Sequence, residues 1–442
     1  MRQSLTFLTV LTLLSTFSAC RKSAYIIEEV ESITDMGGGT GTVTWSNDKD
    51  YLINGFVFVN DGQTLTIEAG TVIRGRTGQG SLASGLIVAR GGTIIAEGTQ
   101  INPIIFTVEG DDLQGSVPIE ARGLWGGLII LGNATINTES GEDMIEGIPI
   151  SEPRGIYGGY DDDDNSGILR YVSIRHGGTN IGEGNEINGL TLGAVGRQTI
   201  IDHVEVIANA DDGVEFFGGT VNCKNLVVAF CGDDAFDLDQ GYRGKGQFWL
   251  GIHNNDKCLE ITGGLQPVQL LTECQTIIYN ATLIHSHLSS IAVPVHFLQY
   301  GGGYLRNSII LNPMDGVALR YSDKPGDTWS LFQSGRLALE NNILYPGSGP
   351  TTAYHTYSEL GEDLTEENQQ LADSTLAWQT SFEDPGISDL DGFTLLPPTT
   401  EFENMAPYEC DWLEEVTYKG SFGSNLWIAG WTLLYESGYI ND

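Results

Sequence analysis

The stretch Asp211-Asp212-Gly213-Val214-Glu215-Phe216 returns 22 residues later as Asp233-Asp234-Ala235-Phe236-Asp237-Leu238, and 23 residues after that as Asp256-Lys257-Cys258-Leu259-Glu260-Ile261. Each copy is a polar turn followed by an apolar, an acidic and an apolar residue. That alternation has the two-residue period of a strand, and a repeat of this length matches one coil of a stacked solenoid. Weaker copies flank the three: Asn188-Gly189-Leu190-Thr191-Leu192 before them and Asp315-Gly316-Val317-Ala318-Leu319 after them. A second strand keeps the same rhythm at Tyr171-Val172-Ser173-Ile174, His203-Val204-Glu205-Val206, Asn225-Leu226-Val227-Val228, Ala281-Thr282-Leu283-Ile284 and Asn307-Ser308-Ile309-Ile310. The register predicts that Val214, Phe236 and Leu259 stack inward, as do Phe216, Leu238 and Ile261. Glu215, Asp237 and Glu260 then form one exposed outward column. β-branched residues dominate and few apolar faces recur at helical spacing, which excludes a helical array.

The expected fold is therefore all-β: a right-handed parallel β-helix, pectate-lyase-like, over residues 40–349. Residues 350–410 lose the coil rhythm, and Asp363-Leu364-Thr365-Glu366-Glu367 opens a short helix with an acidic first turn. Residues 350–442 read as an irregular region and C-terminal cap, with the aromatic stretch Tyr418 to Trp431 expected to cover the open end of the solenoid. The chain has 442 residues with 58 Gly, 18% charged and 40% hydrophobic, so it is turn-rich yet able to bury a continuous core. Its net charge of −37 repels nucleic acid and anionic lipid headgroups and attracts cations.

The first residues read as an export signal. Arg2 supplies the positive end, and Leu5 to Phe17 is apolar but too short to span a bilayer. The segment closes on Phe17-Ser18-Ala19-Cys20, which resembles the bacterial lipobox, so residues 1–19 are expected to be a signal peptide, Cys20 the lipidated residue and residues 20–39 an anchor and linker. An ordinary secretory signal with an incidental Cys is the competing reading. The expected location is the cell envelope, at the outer membrane. Arg21-Lys22-Ser23 lacks the acidic run of a surface-export tag, so the side of the membrane stays open. Beyond Cys20, Cys223, Cys231, Cys258, Cys274 and Cys410 show no CxxC spacing and read as small buried side chains.

Family likeness enters through the turns. Gly123-Leu124-Trp125-Gly126-Gly127, Tyr157-Gly158-Gly159 with its Asp run, Phe217-Gly218-Gly219-Thr220, Gly232-Asp233-Asp234 and Gly241-Tyr242-Arg243-Gly244-Lys245-Gly246-Gln247-Phe248-Trp249 are similar to bacterial envelope β-helix proteins, common as lipoproteins in Bacteroidetes. Leu65 to Ile73 and the closing Tyr418 to Thr432 fit the same family, so the resemblance spans nearly the whole mature chain. It implies a fold and an address without a settled activity. A second, partial resemblance is chemical. Asn209-Ala210-Asp211-Asp212-Gly213, followed one coil later by Gly232-Asp233-Asp234-Ala235, is similar to the motifs of polygalacturonase-type glycosidases, which hydrolyse acidic glycans with a carboxylate trio. It implies Asp211, Asp233 and Asp234 as catalytic residues. The chain departs from that pattern by an extra Asp in the first motif. It also has no counterpart of the Gly-His-Gly and Arg-x-Lys elements, since Arg243-Gly244-Lys245 sits in another context.

The column Glu215, Asp237, Glu260 sets carboxylates about 4.8 Å apart on neighbouring coils, with Asp211, Asp233 and Asp256 in a second column at the preceding turn. Like charges so close share protons, stay hydrated or bind a cation. Oxygen ligands without His or Cys at matching spacing select Ca2+ over a transition metal. Three uses stay open: a structural ladder of turn acids, a Ca2+ site drawn from Asp211, Glu215, Asp233, Asp237, Asp256 and Glu260, or a hydrolytic pair, which needs a raised pKa and a cleft. The loop Asp161 to Asp164 divides between Ca2+ and a solvated turn. His285 and His287 share a strand face without a third ligand, and Trp249, beside Tyr242 and Phe248, serves either as a sugar platform or as packing. No Ser–His–Asp order, P-loop or dinucleotide fingerprint occurs. The expected function is a cell-envelope lipoprotein presenting an acidic β-helical surface to a glycan or an envelope protein. The alternative is a polysaccharide hydrolase or lyase acting through Asp211, Asp233 and Asp234.

Overall fold

The computed structural model describes residues 30–440 apart from 183–184, 265–274, 287–292, 313–315, 348 and 389–393. Cys20 and the export signal, Cys274, His287 and Asp315 lie outside the described residues. In the central coils the long strands Ile200–Ile207, Asn222–Ala229 and Lys245–Ile252 lie side by side in parallel. Each bends once, at a residue with left-handed backbone: His203 (φ 55°), Asn225 (φ 55°) and Phe248 (φ 59°). The same corner recurs at Tyr171, Asn280, Asn307 and Asn341. Asn enters the left-handed region more readily than most residues, which accounts for its place in the repeat, and at Asn280 and Asn307 its side chain also bonds the C-terminal segment at Tyr418 and Ala406. The bend splits each long strand into two sides of a coil, and a third side follows after a short turn: Val214–Phe217, Phe236–Asp239 and Leu259–Ile261. Repeated stacking produces a 17-stranded sheet over two sides and a ten-stranded sheet on the third, from Phe56–Val59 to Tyr354–Tyr357. The strand Tyr354–Tyr357 pairs in parallel with Val317–Arg320, so the third side continues beyond residue 349.

The register is the one the repeat implies. Val214, Phe236 and Leu259 are Cα partners on consecutive coils, and so are Phe216, Leu238 and Ile261. All six are buried, and Phe216 and Phe236 pack against Trp249 at ring-centroid distances of 5.7 Å and 4.8 Å. Trp249 is thus a core residue, not a sugar platform. Burying each such side chain contributes about 1.5–3 kcal/mol. The turns stack as tightly as the strands: a Cβ on Gly232 would lie 1.7 Å from the carbonyl oxygen of Ala210, which closes that position of Gly232-Asp233-Asp234 to any side chain.

Two additions cover the outside of the solenoid. Residues 132–166 leave the coil after Leu128–Leu131, form the antiparallel ribbon Glu142–Met144 with Ile156–Gly158, and lay Ile136, Ile145, Ile148 and Tyr157 on Ile129, Leu131 and Phe217 of the third side. The C-terminal segment runs backward along the long sheet. Ala406 exchanges hydrogen bonds with Asn307, Glu414 with Gln247, and Leu433 and Leu434 donate to Glu205. Phe422, Ile428 and Leu434 pack on the outward residues Ile207, Val227, Ala229 and Ile252. The stretch Tyr418 to Trp431 is therefore a flank strap, not the end cap expected from its composition. Its aromatic rings were needed because the outward faces of these strands are apolar as well. The end of the interior is instead reached by the helix Thr365–Ala377, whose Leu371 is fully buried in the main core, with Trp378 packed beside it.

Candidate functional site

The turn between the second and third sides carries the acids. Asp211 and Asp212, Asp233 and Asp234, and Asp256 and Lys257 occupy equivalent places on three coils, and Glu215, Asp237 and Glu260 follow as aligned partners on the third side. The column exists, but it is not exposed. Glu215 is 6% exposed, and Asp237 and Glu260 are half-buried. The cause is the excursion 132–166, which brings Glu146 over the column. Asn188 Nδ2 donates to both the Glu215 carboxylate and Glu146 Oε1. Burial pushes both carboxyls above their ordinary range, and the two hydrogen-bond to each other, which requires a shared proton.

The twin acids of each turn have different roles. Asp212 Oδ1 accepts the N–H of Asp234 at 2.8 Å, and Asp234 Oδ1 accepts the N–H of Lys257 at 2.6 Å. Both carboxyls are buried and well above the usual carboxylate range, by desolvation first. Asp234 is therefore a structural rung, which removes it from the expected catalytic trio. Asp211 and Asp233 face a cleft of about 410 Å3, walled also by Glu146, Glu186, Asp212 and Glu215. Asp233 is exposed, while Asp211 is half-buried and its pKa is raised from 3.8 to about 7 by burial and then by the charges of Glu146 and Glu186. Asp239, farther along the third side, is lifted to about 6, again by burial first.

Carboxylate oxygens of Asp211, Asp212 and Asp233 lie within 4.8 Å of one another; so do those of Asp212, Glu215 and Asp237, and those of Asp233, Asp234 and Asp256. Lys257 answers part of this charge, with Nζ at 2.7 Å from Asp256, 2.8 Å from Glu260 and 3.8 Å from Asp234. Among the described residues of this cluster, Asp237 Oδ1 and Asp256 Oδ1 are buried without a hydrogen-bond partner. Of the six acids expected to hold Ca2+, Asp211, Glu215, Asp233, Asp237 and Asp256 fall into these triads. Glu260 does not, and its carboxylate pairs with Lys257.

A model of the pectate-lyase-like β-helix domain matches residues 37–376. The chain belongs to that family. No curated protein and no solved structure matches it. Membership of this β-helix family fits a carbohydrate-related function and leaves the particular site to be argued from its residues.

Within this pectate-lyase-like β-helix, several residues of the cleft and of the acid column beside it were missed by sequence reasoning. Glu146 and Glu186 lie in stretches without coil rhythm and carried no signal. Lys257 did carry one: it breaks the column Asp212, Asp234 with a base, where a third acid would have been intolerable. Other candidates resolve plainly. Asp162 pairs with Arg243 at 2.9 Å and accepts the N–H of Thr135, and Asp164 accepts from Asn133 Nδ2, so the loop Asp161 to Asp164 is committed to protein partners. His285 is fully buried, as are Cys223, Cys231 and Cys258, which are free thiols.

Proposed function

We propose that the protein is a lipid-anchored cell-envelope component that binds a glycan through Ca2+ held in the acidic cleft. The observation that carries this reading is the set of three interlocking carboxylate triads: Asp211, Asp212, Glu215 and Asp233 line the cleft, and Asp237 and Asp256, each with a buried unpartnered oxygen, join them from the neighbouring positions. A buried carboxyl oxygen without a partner is costly, and a divalent cation with six to eight oxygen ligands supplies what Lys257 alone does not. A cleft of carboxyl groups offers sugar hydroxyls mostly acceptors. A bound Ca2+ adds open coordination positions that take hydroxyl pairs. The sequence Phe17-Ser18-Ala19-Cys20 supports the lipid anchor, and the likeness to Bacteroidetes envelope proteins supports an outer-membrane address.

Affinity electrophoresis of the full chain through polysaccharide-containing gels tests the reading. Retardation is expected in calcium, release in chelator, and no calcium response in the Asp233→Asn/Asp237→Asn variant. Retardation indifferent to chelator would refute it. A second reading, glycan hydrolysis, is favoured by one observation: Asp211, with its pKa at about 7, keeps a proton for a leaving group beside the exposed carboxylate of Asp233. That reading expects calcium-independent release of reducing ends, abolished in Asp211→Asn.

A further inference from the structure

The two ends of the solenoid are chemically unlike. The first coil runs through Val30–Ile33, residues 34–42 and Val43–Trp45. Val30–Ile33 pairs with Asp50–Ile53, and Val43–Trp45 with Thr64–Ile67. Among the described residues no strand pairs with the opposite edge of either, so this coil ends the stack. It leaves Met36 92%, Val30 45% and Val43 39% exposed. Its charge is nevertheless compensated. Of the four acids between residues 30 and 50, Glu31 pairs with Lys49 at 2.5 Å, Asp35 with Arg154 at 2.6 Å and Asp50 with Arg74. The far end is the reverse. Residues 359–384, which include the helix over the interior, carry eight acids, seven of them exposed, and neither Lys nor Arg.

In a chain of net charge −37, the first coil is thus a nearly neutral end with exposed apolar side chains. A bilayer surface tolerates such an end, whereas the charge of its anionic lipids repels the acidic one. The preceding chain says which partner lies against it. Cys20 stands ten residues before Val30, and ten residues span at most about 35 Å. We infer that the N-terminal end of the solenoid rests on the bilayer to which the Cys20 lipid holds it. The inference rests on the lipid-anchor reading and is independent of calcium and glycan. The contact is made at headgroup level, because open strand edges are satisfied by water and headgroups and not by hydrocarbon. Val214–Phe217 is the fifth of the ten strands on the third side, so a solenoid standing on this end lifts the acidic cleft about 20 Å above its first strand. The acidic far end is then roughly 40 Å from the first strand.

Photocrosslinking of the full lipidated chain on vesicles of phosphatidylethanolamine and phosphatidylglycerol tests the contact. A benzophenone side chain is placed at Met36, at Ile150 on the flank or at Leu360 toward the far end, all three being highly exposed. Lipid adducts, read by mass spectrometry, should form at residue 36 and be about tenfold fewer at 150 and 360, which lie beyond the depth of the interface. Val30→Asp and Val43→Asp are made separately, so that one failing to fold leaves the other. Each should stay on the vesicles through the lipid and yet lose adducts at residue 36 several-fold. Adducts as frequent at 150 or 360 as at 36 overturn the inference, since the solenoid then lies on its flank or points the other way. Adducts at 36 that neither Asp variant lowers overturn it as well, because they report only the shortness of the tether. A vesicle-bound chain without adducts at 36 overturns the contact and leaves the lipid anchor standing. A chain that does not float with the vesicles refutes the anchor, and the inference with it.

Discussion

Asp211→Asn changes one atom in the cleft and should stabilise or destabilise the protein according to what else is present. Asp211 is half-buried, and burial together with Glu146 and Glu186 lifts its pKa from 3.8 to about 7. An acid with a higher pKa in the folded than in the unfolded state binds more protons when folded. It therefore weakens the fold as pH climbs from the unfolded value, and the full penalty is reached above the folded value. The difference between 3.8 and about 7 corresponds to about 4 kcal/mol, and partial solvent exposure brings that to roughly 2 kcal/mol. In chelator at pH 8, urea unfolding of Asp211→Asn should thus report roughly 2 kcal/mol more stability than the parent, and the gap should close as pH falls to about 4. In saturating calcium the sign should reverse, because the variant lacks a ligand. A variant less stable than the parent at pH 8 in chelator, or a gap constant between pH 4 and pH 8, would refute this account of the cleft's electrostatics.

Three further outcomes are expected. Glu205→Gln should cost about 3 kcal/mol in urea melts and speed proteolysis within residues 395–440. The buried carboxylate accepts the N–H groups of Leu433 and Leu434 and faces the charge of buried Arg175, so unaltered cleavage would show that the strap is held elsewhere. Phe236→Ala should cost about 3–5 kcal/mol by opening a cavity beside Trp249, and a loss under 1 kcal/mol would mean that the core collapses around it. Cys20→Ala should leave an uncleaved or a soluble precursor, and normal processing and membrane partition would remove the lipid anchor from the account.

The central coils were legible because three copies of one turn, at 22- and 23-residue spacing, fix register as well as fold. Val214, Phe236 and Leu259 could be assigned inward and Glu215, Asp237 and Glu260 outward from alternation alone. Whether an outward residue is exposed was not legible, since that depends on what lies over it. The excursion bearing Glu146 has no period, and its apolar residues Ile136, Ile145 and Ile148 read equally well as any loop's. The same limit misplaced the C-terminal segment. Its aromatic content announced that it covers apolar surface, but only the apolar outward faces of Val227, Ala229 and Ile252 say which surface. The difference between Asp233 and Asp234 was also hidden. Adjacent identical residues diverge only because one carboxylate meets a backbone N–H of the next coil.

The claim that the acidic cleft holds calcium is tested most directly by titrating Ca2+ into the metal-free full chain at neutral pH by calorimetry, beside Asp233→Asn/Asp237→Asn. The account predicts a saturable heat in the parent. Protons should be released as the shared-proton pair Glu146 and Glu215 and the raised Asp211 give way to the ion. Free ion at about 1,000 times the Kd should add roughly 4 kcal/mol of stability, visible as a raised Tm, and the double variant should show neither effect. No saturable heat and no change in Tm in the parent, or the same response in parent and variant, would contradict it.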